Sequence, residues 1–145
     1  MPSYSILDKN KPKESVKKEL EEGREIVALF LIHGYIESIL RQMILIHPQR
    51  NFEVNKDEIN DFDRVNTKTI ILLNLILGQI DYELYKRIEA LNAKRNIYAH
   101  ELISIDLSDS KNKEKIGGIV TEGLITYDAL FDCYLRVLDK KQKTI

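Results

Sequence analysis

The sequence predicts an all-α protein, a helical bundle of about four to five helices. Apolar residues recur every three to four positions over most of the chain, and no segment alternates with a period of two as a half-buried strand would. Proline, glycine and short polar side chains stand where helices would begin and end. With 145 residues and 43% hydrophobic composition, the chain suits a single domain over residues 1–145 with one core.

The first predicted helix is long. Pro12 fits a first helical turn, where a missing backbone N–H is tolerated. Apolar positions from Val16 to Met43 then keep helical spacing. We therefore predict one continuous helix that ends before Pro48.

A polar, acidic segment over residues 51–66 separates this helix from the next. Asn55 and Glu58 are spaced like a capping box, so the segment is predicted to be a loop with at most one short helical turn. Thr67 is the predicted cap of an apolar helix, and Gly78 is its predicted C-terminal stop. This helix is expected to lie at the centre of the bundle.

Two further helices complete the predicted bundle. Asp81 caps a helix over residues 82–102, and the polar stretch SIDLSDSKNKEK is predicted to be a loop. A last helix carries apolar residues at helical spacing from Ile116 to Leu138.

Composition excludes several classes of protein. The 22 Lys and Arg residues nearly cancel the 23 Asp and Glu residues, so there is no overall basic field and any nucleic-acid binding must be local. Cys133 is the only cysteine, which excludes an internal disulfide and predicts a buried apolar thiol. His33 and Glu37 interrupt the longest apolar run, and no secretory signal is visible, so a soluble cytoplasmic protein without a membrane span is expected.

Arg95 stands in the middle of an apolar helix face. Winding the fourth helix at about 100° per residue places the following residues on that face: Leu84, Ile88, Leu91, Tyr98 and Leu102. A guanidinium stays charged and needs a carboxylate or phosphate partner when it is buried. Glu37, on the apolar stripe of the first helix, is the best candidate within the chain, and a pair with Arg95 would fix the helix register.

Asn96 and His100 are four residues apart, so they lie on the same side of the helix, next to this apolar face. Histidine moves protons near neutral pH, and arginine is the best fixed donor to phosphate oxygens. RNA supplies its own nucleophile in the 2′-hydroxyl, so an arginine and a histidine suffice for phosphodiester cleavage without a metal or other cofactor. We predict Arg95, Asn96 and His100 as catalytic residues, supported by Glu37 and Tyr98.

The segment LNAKRNIYAHEL resembles the HEPN superfamily (higher eukaryotes and prokaryotes nucleotide-binding), with an arginine, a polar residue and a histidine five positions after the arginine. The resemblance implies a small helical bundle, a two-fold homodimer and a metal-independent endoribonuclease of the toxin–antitoxin, anti-phage or CRISPR-associated type. It carries over to Arg95, Asn96 and His100, and more loosely to Glu37. Leu102 stands where members with a nucleotidyltransferase antitoxin often have a tyrosine, so control by nucleotide transfer is not implied.

Other interpretations remain open at this stage. Some members, including those resembling the mannitol operon repressor, keep the motif without an established nuclease role, so a non-catalytic interaction or regulatory module, or an antitoxin partner, is the alternative. RNA, a second copy of the chain and a cognate antitoxin are the expected partners. Lys111, Lys113 and Lys115 are candidate substrate-binding residues, although a solvated, flexible loop is the favoured explanation of these lysines. His33 and Glu37 have a metal-ligand spacing without a third ligand.

Overall fold

A computed structural model of the protein describes residues 7–143, and its regular elements are six α-helices, with no strand in this range. The predicted all-α bundle is confirmed, with one helix more than expected. The helices are α1 (Asn10–Glu21), α2 (Glu25–Leu45), α3 (Lys56–Asp63), α4 (Thr67–Ile76), α5 (Tyr82–Glu101) and α6 (Ser110–Lys143).

The centre of the bundle is α2, which packs against α1, α4, α5 and α6. The prediction that α4 lies at the centre is wrong, because its side chains Leu72 and Ile76 are 42% and 69% exposed.

The α2 side chains Leu29, Ile32 and Leu40 are fully buried. The 34 residues of α6 supply Tyr127 and Tyr134 to the same core. Burying a large apolar side chain stabilises the fold by about 1.5–3 kcal/mol, so the contact between α2 and α6 is the main source of core stability.

Polar contacts hold α1 against α6. The hydroxyl of Tyr127 donates to the Lys9 carbonyl oxygen at 3.0 Å, and Lys13 lies 2.9 Å from the Asp128 carboxylate. Burial, together with the nearby charges of Asp8 and Asp128, raises the pKa of Tyr127 to about 12. The hydroxyl therefore remains a donor at neutral pH.

Gly23 divides the predicted first helix into α1 and α2, so the prediction of one continuous helix is wrong at this point. Its φ angle is +75°, a left-handed conformation that side chains with a Cβ atom adopt only at a cost. The N–H groups of Gly23 and Arg24 donate to the carbonyls of Leu20 and Glu19, at 3.1 and 2.8 Å. This pattern is a Schellman motif, which ends a helix by satisfying its last carbonyls.

Two asparagines cap the short helices in the middle of the chain. The side chain of Asn55 accepts a hydrogen bond from the Glu58 N–H at 2.9 Å, so the polar segment contains the eight-residue α3, longer than the single turn predicted. Asn66, and not Thr67 as predicted, caps α4 by accepting from the Thr69 N–H at 2.8 Å. An amide oxygen one residue earlier reaches the free N–H groups of the first turn.

The predicted C-terminal end of α4 and the predicted start of α5 are confirmed, whereas the predicted start of α6 is wrong. Gly78 has a φ of +70° and follows the end of α4, and the Asp81 carboxylate caps α5 by accepting from the Leu84 N–H at 2.8 Å. The last helix begins at Ser110, because Asp109 accepts from the Lys111 N–H at 2.9 Å and caps it. Half of the stretch predicted as a loop is therefore helical.

Helix α2 is long and apolar enough to cross a membrane when judged by length and composition. It is also the helix that contributes Leu29, Ile32 and Leu40 to the core. The central helix of a soluble bundle meets the same criteria, so the fold is compatible with a soluble protein. Cys133 is buried as predicted, and burial raises the pKa of its thiol.

The glycine at the α1–α2 junction gives a stability test with a matched control. Gly23→Ala forces a Cβ atom into the left-handed conformation, so we expect it to lower the free energy of unfolding by about 1–2 kcal/mol. Gly118 lies exposed within α6, and a Cβ atom there meets nothing within 4 Å, so Gly118→Ala should raise stability by about 0.5–1 kcal/mol. Urea denaturation of both variants measures the difference. If both variants changed the free energy of unfolding by the same amount and with the same sign, the left-handed conformation assigned to Gly23 would be contradicted.

Candidate functional site

The candidate site lies on the C-terminal half of α5, where this helix packs on α2. Arg95 is half-buried, and its guanidinium carbon lies 5.2 Å from the centre of the Phe30 ring on α2. A guanidinium over an aromatic face is stabilised by the ring quadrupole. The Phe30 ring therefore contacts the guanidinium from below and holds Arg95 at the surface of the bundle. The position of Phe30 in the apolar stripe of the first helix did not reveal this role.

The partners of Arg95 differ from those predicted. Its Nη1 donates to the side-chain oxygen of Asn96 at 3.2 Å, whereas its Nε is buried and has no hydrogen-bond partner among residues 7–143. Arg95 thus keeps donor capacity beside an exposed surface. Because the Nε has almost no accessible surface, the donors that an acceptor in solution can reach are the remaining N–H groups of the two Nη atoms.

The predicted ion pair between Arg95 and Glu37 is wrong. Glu37 accepts from Arg41 at 2.9 Å and from the Thr67 hydroxyl at 2.7 Å. Burial raises the pKa of Glu37, but the Thr67 and Arg41 hydrogen bonds and the Arg41 charge outweigh it, so the net shift is downward. Arg41, four residues along α2, takes the carboxylate that the sequence assigned to Arg95, because i, i+4 partners on one helix are always within reach.

His100 is exposed near the end of α5. Within residues 7–143 its imidazole forms no hydrogen bond or ion pair. It lies four residues after Asn96, on the same side of the helix, but about 140° around the helix axis from Arg95. The side chains of Arg95 and His100 in one copy therefore leave α5 in different directions, although the bond to Asn96 holds the guanidinium on the side of Asn96.

Tyr98 belongs to the core, with 6% of its surface exposed. It follows Leu91 on the buried side of α5, as the helical winding predicted. Tyr98 can therefore support the position of α5 from inside the bundle, and its ring does not face solvent. Leu102, at the end of the same predicted apolar face, is 42% exposed.

The three candidate lysines lie on the first turns of α6 and not in a loop. Lys111 and Lys115 are exposed. Lys113 is half-buried, and its ammonium donates to the Gly23 carbonyl oxygen at 3.3 Å. Lys113 thus connects α6 to the α1–α2 junction, whereas the ammonium groups of Lys111 and Lys115 have no partner within the described range 7–143.

A buried histidine that the sequence did not single out as a site residue links α2 to α5 next to Arg95. The Nε2 of His33 and the side-chain oxygen of Asn92 are 2.8 Å apart, and both residues are buried. Burial is the largest influence on the pKa of His33 and lowers it, with help from the Arg95 charge, whereas Asn92 and Glu37 act in the opposite direction. The pair fixes α5 on α2 one turn before Arg95. The sequence did contain a signal for this pair, because the helical winding of α5 places the polar side chain of Asn92 on the side that faces the core.

The described part of the chain offers no metal site. Across residues 7–143, no three His, Cys, Asp or Glu side chains are grouped as metal ligands would be. Of the two residues with metal-ligand spacing, His33 is bonded to Asn92, and Glu37 is bonded to Arg41 and Thr67.

The fold and the site define a helical bundle with a fixed arginine and an exposed histidine at one end of a single helix. Comparisons with protein families, with curated proteins and with solved structures find no match for this chain. Its function is therefore inferred from the chemistry of these residues.

The buried His33 predicts how stability depends on pH. In the unfolded chain a histidine takes up a proton near pH 6.5, whereas folded His33 resists protonation because its pKa is lowered. The unfolded state then binds more protons, so the free energy of unfolding should decrease as the pH falls below about 6.5. In His33→Gln this loss should be smaller between pH 7 and pH 5.

His100→Gln is the matched control, because it makes the same change at an exposed histidine. Denaturant unfolding at a series of pH values measures both variants. A slope in His33→Gln as steep as in the parent protein would show that His33 is not the group responsible.

Proposed function

We propose that the protein is a metal-independent endoribonuclease of the toxin or defence type that acts as a homodimer in the cytoplasm. The observation that carries the proposal is the exposed His100 imidazole on the same helix as Arg95, whose Nη atoms retain N–H donors without a partner among residues 7–143. The resemblance of the RNIYAH segment to the HEPN superfamily supports the same conclusion.

The proposed reaction uses the 2′-hydroxyl of RNA as the nucleophile. As general base, the His100 imidazole accepts the 2′-hydroxyl proton while the 2′-oxygen attacks phosphorus. The bond from phosphorus to the 5′-oxygen then breaks, and this oxygen takes up a proton from the resulting imidazolium, now the general acid, or from water. The products are a 2′,3′-cyclic phosphate and a 5′-hydroxyl. Arg95 donates to the phosphate oxygens, where negative charge increases in the transition state.

Asn96 is assigned a positioning role. It accepts from Arg95 Nη1 at 3.2 Å and lies one helical turn before His100. An arginine held in one orientation needs less reorganisation when it meets a phosphate. The Phe30 ring beneath the guanidinium also helps to hold Arg95 in one orientation.

Two copies are proposed because of the direction of the side chains. Arg95 and His100 of one chain leave α5 about 140° apart, so one phosphate between two α5 helices is reached by Arg95 of one copy and His100 of the other. Exposed apolar side chains near the motif, Ile97 at 52% and Ile103 at 102% exposure, provide contact area for a second copy.

A non-catalytic interaction module remains a second candidate, favoured by the local charge. Residues 94–115 contain five Lys and Arg and four Asp and Glu, whereas nucleic-acid sites are usually basic. The same apolar surface around Ile97 would then bind a protein partner, such as an antitoxin, and Arg95 would brace the interface or bind a nucleotide without cleaving it.

Cleavage of labelled RNA in EDTA tests the first candidate. We expect the parent protein to leave 2′,3′-cyclic phosphate ends, and His100→Ala and Arg95→Ala to be slower by about 100-fold or more. Arg87→Ala is the matched control, because Arg87 is an exposed arginine two turns earlier on α5. No cleavage of varied RNAs by folded parent protein would favour the interaction module.

Mixing two inactive variants tests whether the site is shared. Arg95→Ala and His100→Ala subunits should regain activity when they exchange, because one cleft of the mixed dimer holds an intact Arg95 from one copy and an intact His100 from the other. RNA cleavage is measured before and after exchange, with each variant mixed with itself as the control. Mixed dimers that form without regaining activity would contradict a site shared in this way.

A further inference from the structure

A cavity of about 280 Å³ lies at the opposite end of α5 from His100. Its walls come from the residues after α2, the turn between α4 and α5, and the last part of α6. Asp81, at this end, and His100 are separated by almost the whole length of α5, about 30 Å. The cavity is therefore separate from the proposed ribonuclease site.

Cationic side chains line one side of this cavity. Arg136 and Lys140 are one turn apart on α6, both are exposed, and both contribute to the lining. Neither forms an ion pair within the described residues, and Arg136 donates only to the Cys133 sulfur, at 3.0 Å. Like charges four residues apart on a helix repel each other, so an anion between them would be stabilised by both.

His47 adds a third donor from another direction. Its Nδ1 accepts a hydrogen bond from the Gln49 N–H at 3.2 Å. In the neutral ring the proton must then lie on Nε2, which is free to donate to a ligand. The donors come from the end of α2 as well as from α6, an arrangement that suits an anion with several acceptor oxygens.

Gln79 supplies an acceptor that lacks a donor. The residue lines the cavity and is 9% exposed. Its Nε2 donates to the Met43 carbonyl at 3.2 Å and to the Asn74 side chain at 3.0 Å, but its Oε1 is buried without a partner among residues 7–143. Buried acceptors are nearly always satisfied, and a ligand hydroxyl in the cavity would donate to this oxygen after a small movement of the Gln79 side chain that exposes it.

Asp81 is the acidic member of the lining, and it is already engaged. Its carboxylate caps α5 by accepting from the Leu84 N–H, and the positive end of the helix dipole lies beside it. With two cations that form no ion pair among residues 7–143 and one carboxylate that caps a helix, the cavity has an excess of positive charge.

We propose that this cavity binds a small phosphate monoester that also carries hydroxyl groups. Arg136, Lys140 and His47 bind the phosphate, and a hydroxyl donates to Gln79 Oε1. Phosphate fits better than a single carboxylate, because its three terminal oxygens accept from donors in several directions. This inference is independent of the proposed nuclease activity.

Amide NMR titration of the full chain tests the proposal with ribose 5-phosphate, glycerol 3-phosphate, glucose 6-phosphate, inorganic phosphate and free ribose. We expect saturable shifts of the Gly78 and Gln79 signals with at least one monoester. Arg136→Gln and Lys140→Gln should each weaken that binding by about tenfold or more, as the loss of a charge-assisted hydrogen bond implies. Lys17→Gln, at an exposed position on α1, should leave the affinity unchanged.

Three results would overturn the proposal. The first is the absence of saturable shifts with all three monoesters at millimolar concentration. The second is equal affinity for inorganic phosphate, which would show that the anion alone is bound and that Gln79 plays no part. The third is an unchanged affinity in both Arg136→Gln and Lys140→Gln, which would place the bound anion elsewhere.

Discussion

The rotation of α5 about its own axis determines which of its side chains enter the core and which remain at the surface. Apolar contacts alone specify this rotation loosely, because aliphatic side chains can repack with small changes in energy. The hydrogen bond between His33 and Asn92 is directional and buried, and leaving either group without its partner costs more than the bond itself contributes. It therefore sets the rotation that places Arg95 over Phe30 and His100 in solvent.

The helices followed from the sequence because their signals are local. Helical spacing correctly predicted that Leu84, Ile88 and Leu91 enter the core, and the carboxylate of Asp81 correctly predicted where α5 begins. Helix boundaries were harder where a single residue decides between two conformations. Gly23 interrupts an apolar pattern that is otherwise continuous, and only its backbone conformation shows that it ends α1.

The site was predicted in part for the same reason. The position of Arg95 on its helix depends on the winding alone, and its half-burial follows from that. Its partner depends on which of several groups is nearest in three dimensions. Glu37 is contacted by Arg41 and Thr67. The Thr67 contact depends on the packing of α4 on α2, whereas the i, i+4 spacing of Glu37 and Arg41 was a signal that the sequence already contained. The cavity near Gln79 is formed by three separate segments and has no contiguous motif.

The order in which the helices pack has a consequence for synthesis on the ribosome. Tyr127 bonds to Lys9 across 118 positions of sequence, and α6 covers the central helix that precedes it by more than sixty residues. While the chain emerges, α1, α4 and α5 can pack on α2, but the face of α2 that α6 covers has no final partner until α6 has been translated. The nascent chain therefore carries one exposed apolar face of α2 until late in its synthesis, a state in which holding chaperones bind and in which premature termination before α6 yields an aggregation-prone fragment.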